Sequence, residues 1–199
     1  MASLTLLESV QVQPVVATLY GTSEVAAFLD CASRVALVAN VDLMRLRPLL
    51  AMLSERQKMV MVNIDACPGV AQDRGGLEYL KWIGAVGIVT TRGGVVEQAR
   101  SCGLSAVQKV FVTDRSNLPR IHHALTHWKP DLVQIMPAPI LSCLEGNDIR
   151  AFGVFIVSGF VSSKAEVDRA LRLGAVGVSS SDKTLWGYRP SEDSNESNA

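Results

Sequence analysis

The sequence predicts a single compact (β/α)8 barrel of the TIM type, and three observations carry this prediction. Apolar runs rich in valine and isoleucine alternate with helical patterns along the chain. The runs are mostly continuous, which is typical of parallel strands covered on both faces. They number eight, and a closed barrel is the simplest architecture for eight strand–helix units. An open doubly wound sheet is the alternative, but it ordinarily has fewer strands, and no G-x-G-x-x-G follows the first run.

Each strand is predicted where an apolar run is bounded by glycine or by polar residues. The eight predicted strands are Val15–Leu19, Val35–Ala39, Met59–Ile64, Ala85–Val89, Ala106–Val112, Leu132–Ile135, Val154–Val157 and Ala175–Ser179. Apolar residues at helical spacing predict seven helices between them. These are Ser23–Cys31, Leu43–Arg56, Gly75–Ile83, Val95–Ser101, Leu118–Trp128, Ile140–Leu144 and Lys164–Arg172. After the last strand, Asp182 is expected to cap a short final helix through Leu185 and Trp186.

The two ends of the chain differ from the barrel in composition. Residues 1–13 have some apolar character and are expected to pack as a lead-in with a short helix. Residues 14–189 form the predicted barrel domain. Residues 190–199 are mostly serine, asparagine and acidic residues without a large apolar side chain, so we expect a disordered tail.

Composition narrows the class of protein. The 199 residues are 48% hydrophobic and 19% charged, which fits a globular domain, and the formal net charge is zero. A neutral chain has no global field that attracts nucleic acid or a membrane. No apolar stretch is long enough to span a bilayer, and no secretion signal begins the chain, so a cytoplasmic protein is expected. The four cysteines form no C-x-x-C pair, and we expect neither a metal nor a cofactor.

Small hydrogen-bonding residues follow the last two predicted strands. Ser158 and Gly159 end the seventh strand, and Ser179, Ser180 and Ser181 end the eighth. In a (β/α)8 barrel, the loops after these two strands often hold a phosphate with backbone N–H groups at a helix N-terminus. The alternative is ordinary loop and capping chemistry. The pattern favours a cup that binds a small phosphorylated ligand.

Four further polar residues are predicted to face the other end of that ligand. They are Asn63, Asp65, Lys109 and Gln134, all near the carboxyl ends of predicted strands. Asp65 is a candidate general base or hydroxyl ligand, and the alternative is a carboxylate that caps the following loop. Lys109 is a candidate Schiff-base lysine, although a charge partner for Asp65 or a phosphate is the favoured role. His122, His123 and His127 share one helix outside the barrel and are expected to be surface or packing residues.

Several stretches resemble the glycerol-3-phosphate-responsive antiterminators, the regulators of glycerol uptake operons. The resemblance covers about residues 14 to 187. Its most specific stretches are Asp-Arg-Gly-Gly-Leu-Glu-Tyr-Leu at 73–80 and Ser-Asp-Lys-Thr-Leu-Trp at 181–186; others are Val-Asn-Ile-Asp at 62–65 and Gln-Lys-Val-Phe at 108–111. It implies a barrel that binds glycerol 3-phosphate, controls transcription termination through leader mRNA and has no catalytic activity.

Three residues depart from the pattern of that family. Asn63 stands where histidine is common, Gln134 where glutamate is common, and Phe160 where a second glycine is common. The first two would change the polar groups that face the glycerol end of the ligand. Phe160 would add bulk beside the phosphate turn. Ligand identity is therefore less firmly implied than the fold.

Three functional hypotheses follow, and the first is a ligand-gated regulator that binds leader mRNA. The second is a small barrel enzyme, an isomerase, epimerase or aldolase, acting on a phosphorylated sugar with Asp65 as base and Lys109 as acid or Schiff-base residue. The third is a metabolite sensor whose partner is a protein, which zero net charge favours. RNA binding rests on the resemblance alone. Arg45, Arg47, Arg56 and Lys58 around the second predicted helix are candidates for a basic patch, as are Arg100 and Lys109, but solvated helix faces are the favoured interpretation. The sequence is compatible with a homo-oligomer.

Overall fold

Eight parallel strands close into a barrel in the computed structural model, which describes residues 4–189. Each strand pairs with the next in the chain, and β8 pairs back with β1. The predicted (β/α)8 fold is thereby confirmed. The strands are β1 (Val15–Tyr20), β2 (Val35–Ala39), β3 (Met59–Asn63), β4 (Gly87–Thr90), β5 (Ser105–Phe111), β6 (Leu132–Met136), β7 (Phe155–Ser158) and β8 (Gly177–Ser180).

Helices connect the strands on the outside of the barrel, and an additional helix precedes β1. They are α1 (Leu6–Val12), α2 (Val25–Asp30), α3 (Leu43–Glu55), α4 (Arg74–Trp82), α5 (Gly93–Ser101), α6 (Leu118–Trp128), α7 (Gly146–Ala151) and α8 (Lys164–Arg172). Side-chain caps begin several of them: Thr5 and Ser163 form capping boxes, and Asp42 and Asp73 accept from backbone N–H groups. The predicted tail, 190–199, lies outside the described residues.

The largest difference from the predicted elements lies between β6 and β7. A helix was expected over Ile140–Leu144, but a 3-10 helix spans Ala138–Cys143, and α7 follows at Gly146–Ala151. Pro139 lacks the backbone N–H that a regular helix would use there. The six residues of α7 are mostly polar, and none is buried, so hydrophobic periodicity could not reveal this helix.

The interior of the barrel is apolar at one end and polar at the other. At the amino ends of the strands, α1 closes the barrel with Leu6 and Val10, which pack in one cluster with interior side chains of the strands. That cluster includes Val16, Val35, Leu37, Met61, Val89, Val107, Leu132 and Ile156. At the carboxyl ends, inward positions carry Thr18, Asn63, Gln134, Ser158 and Ser179, all buried. We call these five buried side chains the polar layer. It lies just below the mouth, above the apolar end of the barrel that α1 closes.

The segment after β8 takes the place of an eighth outer helix. A 3-10 helix, Lys183–Leu185, begins at the predicted cap Asp182, whose side chain accepts from the Thr184 N–H. Trp186 is buried against Phe28, with ring centroids 6.2 Å apart, and its indole N–H donates to the Ser180 carbonyl at 2.9 Å. The chain is thus tied to β8 from outside. Within residues 4–189, none of the helices is both long and apolar enough to cross a bilayer.

Candidate functional site

A pocket of about 100 Å³ opens at the mouth of the barrel, above the ends of β7 and β8. All five residues of the predicted phosphate cup line it. The complete lining is Thr18, Tyr20, Met136, Ser158, Gly159, Phe160, Val161, Ser179, Ser180 and Ser181. A larger cavity of about 200 Å³ lies outside the barrel wall, between the 3-10 helix Ala138–Cys143 and α8. The mouth pocket is the stronger candidate because the polar ends of several strands converge on it.

The serines of the cup do not all face the same way. Ser179 points into the barrel, where its hydroxyl lies 3.3 Å from that of Thr18. The Ser180 hydroxyl instead donates to the Val161 carbonyl at 2.9 Å and accepts from the Asp182 N–H at 3.1 Å. Ser180 therefore holds the loop after β7 against β8, and its side chain is already committed within the protein.

The turn after β7 has a backbone that suits glycine. Gly159 has φ +82°, in the left-handed region. Phe160 follows with φ +58°, which a residue with a Cβ adopts at some energetic cost. This geometry accounts for the second glycine expected from the family resemblance. The Phe160 side chain is 80% exposed, so its ring lies at the rim of the pocket and not in the polar layer.

Beneath the pocket, the polar layer contains two unpaired acceptors. The Gln134 Nε2 donates to the Ser179 Oγ at 3.0 Å, which links β6 to β8 and, through Ser179, to Thr18 on β1. The Gln134 Oε1 and the Asn63 Oδ1 are buried without a hydrogen-bond partner among the described residues. A buried acceptor left unpaired costs about 1–3 kcal/mol. Both atoms are therefore suited to accept from hydroxyl groups of a ligand.

Thr18 is a member of this layer that the sequence analysis missed. It lies inside a continuous apolar run, Val-Val-Ala-Thr-Leu, where its polarity is easily overlooked. Alternate residues of a barrel strand face inward, so the position of Thr18 two residues after the interior Val16 could have indicated that its side chain faces the interior.

Lys109 brings a positive charge to the edge of this layer. It lies on β5 directly across from Gln134, as paired Cα positions, and its side chain is partly buried. Burial lowers the pKa of the Lys109 ammonium, and the nearby Asp65 charge opposes part of that effect. Within residues 4–189, its ammonium takes part in no ion pair. Lys109 does not line the mouth pocket itself, but a partly desolvated cation without an ion-pair partner is suited to bind an anion.

Asp65 is committed to the loop beside it. Its carboxylate accepts from the Thr90 hydroxyl at 2.7 Å, from the Thr91 N–H at 2.7 Å and from the Thr91 hydroxyl at 2.8 Å. These bonds join the 3-10 turn Ile64–Ala66 to the end of β4. Asp65 therefore has a structural role, but the backbone that it caps belongs to the end of β4 and not to the loop that follows Asp65. Its charge also acts on Lys109.

We expect Asp65→Ala to lower the free energy of unfolding by about 1–2 kcal/mol, because the Thr91 N–H loses its acceptor. Urea unfolding measures this, with Asp114→Ala as the control. Asp114 caps the 3-10 helix Arg115–Asn117 by accepting from the Ser116 N–H, but it does not connect two strands. An unchanged unfolding midpoint for Asp65→Ala would contradict the structural role.

Two of the three histidines of α6 pack against aromatic rings. His122 meets Phe152 with ring centroids 5.0 Å apart, and His127 meets Trp128 at 4.3 Å. Over the described part of the chain, no cluster of three potential metal ligands is found.

The glycine-rich segment 69–76 ends inside α4, whose cap Asp73 accepts from the Gly76 N–H at 2.9 Å.

Fold and site together define the class of protein: a (β/α)8 barrel with a small hydroxyl-lined pocket in its mouth. Residues 15–186 match the model of the family described as glycerol-3-phosphate responsive antiterminator. Because the match covers most of the chain, the protein belongs to this family of regulators, and the resemblance drawn from the sequence is confirmed.

Solved structures with the same fold carry related names. A glycerol uptake operon antiterminator-related protein from Thermotoga maritima superposes with a TM-score of 0.79 at 22% identity, over 88% of this chain and 98% of its own. The glycerol uptake operon antiterminator regulatory protein from Listeria monocytogenes superposes at 0.82 with 20% identity, over 89% and 96%. The Escherichia coli protein YgcP is 19% identical over 182 residues, which are 91% of this chain and 95% of YgcP.

Proposed function

We propose that this protein senses glycerol 3-phosphate in the mouth of its barrel and thereby controls antitermination on a leader mRNA. The observation that carries the proposal is the presence of three features at one end of the barrel: a hydroxyl-lined pocket, a partly buried ammonium at Lys109 without an ion pair among the described residues, and two buried unpaired acceptors, of which Gln134 contacts the pocket residue Ser179. Membership of the family supplies the ligand by name. A regulator of nascent mRNA acts in the cytoplasm, where we place this one.

In the proposed complex, the phosphate lies on the cup. The donors are the hydroxyls of Ser158, Ser179 and Ser181 and the backbone N–H at Gly159. Ser180 does not donate to the ligand, because its hydroxyl already donates to the Val161 carbonyl in the loop after β7. The Lys109 ammonium provides the charge that a phosphate needs in a partly dry site. The glycerol hydroxyls then donate to the Asn63 Oδ1 and the Gln134 Oε1, which satisfies both acceptors.

The regulatory step requires that ligand and RNA affinities be coupled. A ligand shifts an equilibrium only by its differential affinity for two states, so glycerol 3-phosphate must bind the RNA-competent form more tightly or less tightly than the other form. Since coupling is reciprocal, saturating RNA must change the ligand affinity by the same factor.

A thermal-shift titration tests ligand identity. A ligand that binds only the folded protein stabilises it by about 2.7 kcal/mol at one hundred times its dissociation constant. For a domain of this size we expect a rise in melting temperature of roughly 5–10 °C with glycerol 3-phosphate. Glycerol, inorganic phosphate and dihydroxyacetone phosphate are the controls. A larger shift with another phosphate, or no shift at all, would overturn the assignment.

The barrel enzyme is the second candidate, and Lys109 is the observation that favours it. A lysine whose pKa is lowered by burial is a better nucleophile toward a carbonyl group. Its amine would add to the carbonyl carbon and lose water to form an imine. Borohydride reduction in the presence of dihydroxyacetone phosphate would then leave a stable secondary amine, detectable by mass spectrometry. An adduct on Lys109 supports the enzyme, and an unmodified chain supports the regulator.

A further inference from the structure

We propose that RNA docks at the end of the barrel opposite the ligand pocket, on a surface we term the basic arc: Arg34, Arg56, Lys58, Lys81 and Arg100, with Trp82 among them. The inference rests on the proposed function for the identity of the partner as RNA. The placement of the surface comes from charge, exposure and contacts.

The first part of the basic arc joins two neighbouring turns at the amino ends of the strands. Arg34 immediately precedes β2, and its carbonyl accepts from the N–H of Met59, the first residue of β3, at 2.9 Å. The Lys58 Nζ donates to the carbonyls of Cys31 at 2.8 Å and Ser33 at 2.7 Å. Arg56 caps the end of α3 beside them.

The second part continues the arc across the next two turns. Lys81, in the last turn of α4, donates to the Cys102 carbonyl at 2.7 Å, just before β5. Arg100, in the last turn of α5, pairs with Asp131 at 3.3 Å, just before β6. The basic side chains thus occupy successive turns of one rim, and cations in a row are suited to contact successive phosphates of a nucleic acid.

Trp82 supplies an aromatic surface within the arc. It is the last residue of α4 and is 65% exposed, although tryptophan side chains are usually mostly buried. The Arg47 guanidinium lies 4.7 Å from the ring centroid, and the Tyr79 ring lies 5.9 Å away. Exposed aromatic rings beside cations are the stacking platforms that single-stranded nucleic acids use.

Ion pairing distinguishes the two ends of the barrel. At the mouth, four cations have acidic partners: Arg45 with Asp42, Arg74 with Glu78, Arg115 with Glu145, and Lys183 with Glu24. Arg92, Lys109 and Lys164 have none among residues 4–189. In the basic arc, Arg100 alone has such a partner among residues 4–189.

Acidic side chains lie at both ends: Asp65, Asp73, Asp114 and Asp182 are on mouth loops, while Asp30, Glu55 and Asp131 lie beside the arc. In the arc, Arg34, Arg56, Lys58 and Lys81 have no acidic partner among residues 4–189 and outnumber the unpaired acids Asp30 and Glu55, so this rim attracts a phosphate polymer. A chain without net charge thereby acquires one surface suited to RNA.

Fluorescence anisotropy with a labelled 20-nucleotide single-stranded RNA tests the proposal on the full chain. Replacing Arg34, Arg56 and Lys81 together by glutamine should weaken binding more than tenfold at 0.1 M salt. It should also lower the slope of log affinity against log salt by about two, since each contact to a single-strand phosphate contributes about 0.7. The matched control replaces Arg120, Lys164 and Arg169, three exposed cations of α6 and α8.

A second variant probes stacking independently of charge. Trp82→Ala should weaken RNA binding about tenfold without changing the salt slope, while the exposed aromatic control Phe111→Ala leaves it unchanged. Thermal shift with glycerol 3-phosphate should be normal in all variants. The basic arc would be overturned if the arc triple variant and the control triple variant lost RNA affinity equally. It would also be overturned if the arc triple variant and Trp82→Ala bound RNA as tightly as the wild type. Failure of the wild-type chain to bind RNA would instead overturn the proposed function.

Discussion

Replacing Lys109 by methionine is expected to lower the affinity for glycerol 3-phosphate about a hundredfold or more. The ammonium is partly buried and forms no ion pair with a described residue, so a bound phosphate becomes its main counter-charge. Charge-assisted hydrogen bonds to a phosphate in such a site are worth about 1.5–3 kcal/mol each, and the attraction of the full charge adds to them. Isothermal titration calorimetry measures the loss.

The same substitution should stabilise the free protein, and the gain should depend on pH. Burial lowers the pKa of Lys109 in the folded state, so the unfolded chain binds the proton more tightly. At a pH below the pKa of Lys109 in the folded state, the free energy of unfolding of the wild type is reduced by the full cost of burying the charged ammonium. The penalty disappears as pH rises to the ordinary lysine pKa of about 10.4. Lys109→Met should therefore exceed the wild type in stability at neutral pH, by an amount that shrinks in alkaline buffer.

Lys183→Met is the matched control, because Lys183 is also a lysine at the mouth but is paired with Glu24 at 2.7 Å. It should leave ligand affinity within about threefold of the wild type. Equal loss of affinity in both variants would indicate general attraction to the mouth. A Lys109→Met variant that binds normally would remove Lys109 from the proposed site.

Replacing Gly76 by alanine is expected to destabilise the fold by about 2–4 kcal/mol. Gly76 lies in the first turn of α4, and a Cβ there would overlap the carbonyl oxygen of Ala71. That oxygen belongs to the backbone and cannot rotate away. Relief requires shifting α4 or the loop that precedes it, and the cap from Asp73 to the Gly76 N–H holds both.

Gly75→Ala, one residue earlier, is the control. A Cβ at Gly75 would lie 3.5 Å from the Asp73 Oδ1, an ordinary contact. Alanine is the better helix former, so this variant should gain about 0.5–1 kcal/mol. Chemical denaturation of both variants measures the difference. Equal stability of the two would mean that the close approach of α4 to Ala71 does not restrict residue 76.

The pattern of the sequence was sufficient for the barrel and for the five residues that line the candidate pocket after β7 and β8. Continuous valine-rich runs such as Val35–Ala39 predict buried parallel strands, because such a strand must be apolar on both faces. The serine and glycine residues at 158–159 and 179–181 predict a cup because the carboxyl ends of parallel strands meet at one edge. The cap at Asp182 is equally local and was predicted correctly.

Local pattern was insufficient where polar residues make up a helix or where a prediction depends on side-chain direction. α7 lacks a buried face, so no periodicity marked it. Ser179 and Ser180 are identical and adjacent, yet one hydroxyl enters the polar layer while the other secures the loop after β7. That choice depends on the pleat of β8 within the closed barrel.

The sequence by itself determined a (β/α)8 barrel of the antiterminator family with a polar mouth, because hydrophobic period and strand-end chemistry are properties of neighbouring residues. Only the tertiary structure decided what each polar group does there. Asp65 accepts hydrogen bonds from Thr90 and Thr91. Thr18 on β1 contacts Ser179 on β8, across the pair of strands that closes the barrel. Lys109 forms no ion pair with a described residue. Those partners come from different strands, and barrel closure, which brings distant segments within hydrogen-bond distance, selects them.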